Sequence, residues 1–145
     1  MSPKAGESKE QREAEEYMIR EISREAGGNV VSKRIPLGGR VHLDVDGFSE
    51  NPPIICEAWA HIGAPKAAQK SKAIADAFKL VFLERHLGRA YRKVLLFADR
   101  QAMNAFLGPT WRAEALRYFE IHTELFELPD DLRQAVIAAQ KRQFR

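Results

Sequence analysis

Apolar and polar positions alternate with two different periods along this chain, and the switches between them mark out its elements. Residues 7–26 are dense in Glu, Arg, Lys and Ala, with Ala14, Met18 and Ile22 spaced four apart and Tyr17 beside them. That spacing predicts an amphipathic helix with a narrow apolar stripe, stopped by Gly27-Gly28. Glu21 and Glu25 border the stripe and read as surface charges, with the alternative that Glu21 faces a site on the sheet. Residues 29–35 (NVVSKRI) then read as a short strand, turned by Pro36-Leu37-Gly38-Gly39. In residues 40–46, Val41, Leu43 and Val45 alternate with His42, Asp44 and Asp46, and a period of two predicts a strand with one face buried. Gly47, Ser49, Asn51, Pro52 and Pro53 supply turn chemistry. The next run, Ile54-Ile55-Cys56-Glu57-Ala58-Trp59-Ala60, is apolar almost throughout, as in a strand covered on both faces.

Gly63-Ala64-Pro65 opens a long helix that reaches about His86-Leu87 and ends at Gly88. Ala67, Lys70, Ile74, Phe78 (with Ala77) and Val81 trace its inward face, so Lys70 points inward near its start. Residues 91–98 (YRKVLLFA) carry the clearest buried-strand signal, and the strand–helix–strand alternation implies a crossover connection. Asp99 can cap a short helix from Arg100, broken by Gly108-Pro109, and Thr110 a second one from Trp111. Residues 120–127 (EIHTELFE) read as a last strand, and Pro129-Asp130-Asp131 starts a closing helix. The order is αβββαβ, then short helices, then βα. It predicts an α/β protein with a mixed central sheet flanked by helices. Residues 1–6 read as a frayed end and 7–145 as one domain.

Composition narrows the class without choosing a function. A chain of 145 residues with 45% apolar and 30% charged residues can bury one real core. Its apolar runs fall short of the roughly 18 residues a membrane span needs, so no membrane partner is expected. A charged N-terminus without a signal-peptide pattern makes the cytoplasm the default location. The single cysteine, Cys56, rules out an internal disulfide or a thiolate zinc cluster and reads as buried filler. The net charge of +3 is unevenly spread. Residues 1–28 hold five Lys/Arg against seven Asp/Glu, whereas residues 61–100 hold nine against three. Such asymmetry suits a polyanionic partner, although a solvated face gives the same pattern.

The chemistry centres on Glu57. A carboxylate within an apolar strand must be paired, protonated or metal-bound, and the hairpin brings Asp44 or Asp46 towards it. Asp46 is preferred because it ends its strand before Gly47, though Asp44 shares its face. His42 shares a face with the two aspartates and His61 with Glu57 and Trp59, but a lone strand histidine is more often a hydrogen-bonded structural group. Trp111, on an amphipathic helix, reads as core. No P-loop, dinucleotide-binding glycine motif, zinc spacing or serine-hydrolase elbow occurs.

Element order and acid placement together resemble the restriction-endonuclease-like fold of the PD-(D/E)XK nuclease superfamily, over roughly residues 8–127. In that superfamily an Asp ends the second strand, and an Asp/Glu-X-Lys lies on the third. Asp46-Gly47 looks like the first element and Glu57-Ala58-Trp59 occupies the second. The resemblance implies hydrolysis of phosphodiester bonds with Mg²⁺ or Mn²⁺, held by Asp46 and Glu57, with Asp44 as a further candidate ligand. Trp59 stands where the family has its lysine. Some members carry that lysine on the following helix, which makes Lys70 the candidate third catalytic residue, ahead of Lys66 and Lys72. Lys66, Gln69, Lys70 and Lys72 would attract the phosphates of nucleic acid, with DNA favoured over RNA. The alternative is a catalytically degenerate module that binds nucleic acid or a protein partner, with Trp59 as core or as a stacking surface for a base. A domain with protein partners only is a third reading. Little chain is left over for separate recognition, so a homodimer or a larger complex fits.

Overall fold

The elements follow one another in the expected order in a computed structural model that describes residues 7–143. Helix α1 (Lys9–Ala26) begins at a capping box: Ser8 Oγ accepts the Gln11 N–H at 3.1 Å, and the Gln11 side chain accepts the Ser8 N–H at 3.0 Å. Gly27, left-handed at φ 69°, ends it. Strands β1 (Val31–Gly38), β2 (Val41–Glu50) and β3 (Pro53–Trp59) form an antiparallel meander. Helix α2 (Ala67–Leu87) then crosses over to β4 (Arg92–Phe97), parallel to β3. Helices α3 (Arg100–Asn104) and α4 (Trp111–Tyr118), capped by Asp99 and Thr110, lead to β5 (Ile121–Leu125), parallel to β4. Helix α5 (Asp130–Gln143) closes the fold. The sheet order is β1-β2-β3-β4-β5. Hairpins suffice for its antiparallel half, while the parallel half needs the helical crossovers.

Both faces of this mixed sheet are covered. Ile55, Leu95 and Phe97 pack with Ala77, Leu80, Phe106 and Leu116 from α2 and the α3–α4 region. The alternate residues Ile54, Cys56, Ala58, Val94 and Leu96 pack with Met18 and Ile22 of α1 and Val136 of α5. Two-sided cover is why β3 and β4 read as nearly continuous apolar runs. Cys56 is buried, as its role as filler requires. No helix of the described residues is long and apolar enough to cross a membrane.

Four local expectations change. Strand β1 runs on through Pro36 to Gly38, which its edge position tolerates, because an edge strand can leave a side unpaired. Strand β2 runs on through Gly47 and Ser49 to Glu50, so the turn is Asn51-Pro52. Gly47 is therefore a packing glycine: a Cβ there would lie 2.5 Å from Cys56 Sγ and 2.8 Å from Val30 Cγ1. On α2 the buried residues are Ala73, Ala77, Leu80 and Leu83, while Phe78 is 75% exposed. Trp111 is 64% exposed, since α4 buries Ala113 and Leu116 instead. The frayed end expected at residues 1–6 lies outside the described residues.

Candidate functional site

Strict alternation would keep Asp46 beside Asp44 on the polar face of β2. It does not, because the register between β1 and β2 slips: Val31 faces Phe48, but Lys33 faces Val45. Two steps of β1 thus span three of β2, and the extra residue falls at Asp46-Gly47. Bulges of this kind re-aim a side chain. Val45 and Phe48 both stay in the α2-side core, Asp46 becomes buried, and Asp44 stays exposed.

At the same point β2 and β3 part. Their pairing runs from Glu50↔Pro53 to Gly47↔Cys56 and stops there. Beyond it β2 is paired with β1, and β3 with β4. In the fork the two acids take over from backbone carbonyls. The Asp46 N–H donates to Glu57 Oε2 at 2.8 Å, and the Ala58 N–H donates to Asp46 Oδ2 at 3.0 Å. Both side chains are buried, Glu57 to 2% exposure and Asp46 to 5%.

The cation that meets them comes from α2. Lys79 Nζ contacts Glu57 Oε1 and donates to the Asp44 main-chain carbonyl at 2.7 Å. Burial, then the neighbouring Asp46 charge, push the Glu57 pKa up to about 8; Lys79 pulls it back down, while a hydrogen bond from Asp46 and the charge of Asp76 add to the rise. The Lys79 contact favours an ionised Glu57, yet desolvation outweighs it, so the upward direction holds. Gln69, Lys72, Asp76 and Lys79 follow one another at helical spacing along a single line of α2. That line carries Lys79 to the fork.

The residues singled out from the sequence separate into those the fold brings together and those it does not. Asp46 and Glu57 meet. Asp44 does not join them: Arg34 Nε and Nη2 clasp its carboxylate at 2.9 and 3.3 Å and hold its pKa low. Lys70 lies on the line of Ala73, Ala77 and Leu80, nine residues before Lys79 and so about 13 Å back along the helix axis. Lys79, and not Lys70, is the lysine of α2 that contacts Glu57. Lys66 is exposed at the N-cap, where its N–H donates to Gln69 Oε1 at 2.8 Å, so Gln69 serves the cap. Glu21 pairs with Arg24 on the surface. His42 is exposed, whereas His61 is half-buried with its pKa lowered, chiefly by burial. Lys79 and Asp76 escaped notice because they lie off the apolar face assumed for α2. Glu15, buried on α1, escaped because nothing in a Glu-rich helix distinguishes it from its neighbours.

A cleft of about 170 Å³ opens just past the fork, where β3 has no β2 beside it. Trp59, Ala60 and His61 form its floor, Gln69 and Lys72 of α2 one wall, and Glu7, Gln11, Glu15 and Gln143 the other. The Trp59 and His61 rings stack with centroids 5.3 Å apart and planes at 15°.

Among the described residues no three His, Cys, Asp or Glu side chains converge as a metal cage. Asp46 and Glu57 offer hard oxygen donors only, with Glu57 Oε1 in contact with Lys79 and with Glu57 Oε2 and Asp46 Oδ2 each accepting a backbone N–H. Such a pair fits Mg²⁺ or Mn²⁺, which take one or two protein carboxylates and fill their remaining positions with water and phosphate oxygens. No protein-family model matches the chain, and neither a curated protein sequence nor a solved structure matches it.

Proposed function

We propose that this protein is a metal-dependent nuclease of the PD-(D/E)XK type, acting on phosphodiester bonds, with Asp46, Glu57 and Lys79 as its catalytic group. The observation that carries the reading is the fork itself: two carboxylates and one lysine, from three elements, meet where the sheet splits. Asp46 and Glu57 would hold Mg²⁺ or Mn²⁺, which supplies Lewis-acid stabilisation of the phosphate and a more acidic water. Lys79, on the helix after β3, supplies the ammonium that Trp59 cannot. It stabilises negative charge developing on the phosphate oxygens and favours the ionised form of Glu57. Lys72, on the same helix line and in the cleft wall, attracts the phosphodiester backbone to the opening.

A second reading keeps the fold and drops the chemistry. Glu57 is almost fully buried and already contacts Lys79, and both acids accept backbone N–H groups. In that reading the group is a staple holding the fork, and the domain only binds its nucleic-acid or protein partner.

Calorimetric titration of Mn²⁺, paired with cleavage of labelled single- and double-stranded oligonucleotides, separates the two. The nuclease reading expects Mn²⁺ binding that disappears in Asp46→Ala/Glu57→Ala. It also expects cleavage that falls on the order of a hundredfold or more in Lys79→Met, the usual scale for losing one transition-state donor. Wild-type protein that neither binds Mn²⁺ nor cuts either substrate would leave the binding module.

A further inference from the structure

We propose that the cleft beside the fork takes the base of one unpaired nucleotide, stacked against the His61–Trp59 ring pair, so that the substrate is single-stranded or frayed nucleic acid rather than intact duplex. The inference rests on the nuclease-type reading for the phosphate chemistry next door, but its own support is the cleft.

Trp59 is fixed from behind. Phe97 and Phe106 meet it edge-on, at 5.6 Å and 72° and at 5.8 Å and 77°. His61 lies nearly parallel on Trp59, and the Gln69 amide sits 3.4 Å from its Nδ1. Two rings braced in this way form a preorganised stacking platform, and base–aromatic stacking tolerates every base because each has a π-face. Trp59 packs against the core on one side, yet both rings are only half-buried and line the floor of the cleft. Size then limits the occupant. The opening, about 170 Å³, is smaller than the ~300–1,000 Å³ typical of sites for drug-sized ligands. That is the scale of a single ring rather than of a base pair. Charge orients the guest: Lys72 on the α2 wall suits a phosphate, while Glu15 and Gln11 on the α1 wall can meet the polar edge of a base.

The chain has two tryptophans, so Trp111→Phe, at an exposed surface position, leaves Trp59 as the only indole reporter. In that background, tryptophan emission is followed while a single-stranded oligothymidine, and separately a blunt duplex of equal length, is titrated in EDTA and again with Ca²⁺. Anisotropy of labelled strands gives binding independently. The proposal expects saturable quenching by the single strand and none by the duplex. It also expects affinity about tenfold weaker in His61→Ala, within the range for losing one stacked base, and retained in His61→Phe, which keeps a ring. Equal quenching by the duplex, single-strand binding that leaves Trp59 emission unchanged, or no binding at all would overturn it. Cleavage tells the two readings apart. Duplex cut in Mn²⁺ with a silent Trp59 keeps the nuclease and removes the unpaired base. A responding Trp59 with no cleavage keeps the base site and removes the nuclease.

Discussion

At Glu57, burial and the Asp46 carboxylate oppose ionisation while Lys79 favours it, and the balance holds the pKa near 8. The same carboxyl titrates near 4.5 in an unconstrained chain. Between those values the unfolded chain has released a proton that the folded chain still holds, so raising the pH pulls the equilibrium towards unfolding. This group therefore leaves stability untouched below about pH 4.5, erodes it as pH rises to about 8, and changes nothing further above. Denaturant unfolding of wild type and Glu57→Gln across that window should show the wild type losing stability relative to the variant as pH rises. A pH-independent difference would mean that Glu57 titrates normally. Metal affinity should move the opposite way. A ligating carboxylate must be deprotonated, so Mn²⁺ binding is expected to strengthen as pH climbs towards 8. The acid pair was legible from the sequence because a glutamate inside an apolar strand is anomalous whatever surrounds it. Its lysine was not, since Lys79 is one of several lysines on α2, and only the packing angle of that helix tells which of them reaches the sheet.

Helix α2 shows the same division at the level of an element. Its end was readable from Gly88, which caps it in the left-handed conformation with φ 70°, whereas its first turn begins at Ala67, past Pro65, with Lys66 at the N-cap. Its buried face was not readable. Residues 73–83 (AIADAFKLVFL) are apolar nearly all round, so the spacing fits more than one stripe, and the large Phe78 draws the choice to the wrong one. Of the expected face only Ala77 is buried, and the sheet receives Ala73, Leu80 and Leu83 beside it. Leu80→Ala should cost about 2–5 kcal/mol as a buried deletion, and Phe78→Ser about 0.5 kcal/mol or less as a surface change. Comparable losses from both in urea unfolding would contradict this orientation. Strand β2 outruns its expected end for a related reason: glycine signals a turn and a close approach equally, and here Cys56 and Val30 supply the close approach.

Over the whole molecule, the acidic N-terminal segment and the basic segment beginning at His61 end on opposite walls of one cleft, Glu7 and Glu15 facing Gln69 and Lys72. A strand entering there meets cations on one side only, so its retention should weaken steeply with salt. For single strands, each phosphate that a lysine neutralises adds about 0.7 to the slope of log affinity against log salt. Lys66→Gln/Lys72→Gln should flatten that slope by up to about twice this amount while leaving the unfolding transition in place. An unchanged slope in fluorescence anisotropy would remove α2 from the nucleic-acid surface.

What the sequence determined by itself was local: the strands, the helices and their order, the caps at Gly27, Gly88, Asp99 and Thr110, and a buried acid that needed a partner. These follow from periodicity, turn chemistry and desolvation, which act over a few residues. Only the tertiary structure decided which residues meet. The bulge at Asp46-Gly47 turned one aspartate inward and left Asp44 to Arg34, and the seating of α2 delivered Lys79 in place of Lys70. Register and helix rotation are set by how two surfaces pack, and a single strand or helix carries only its own half of that contact.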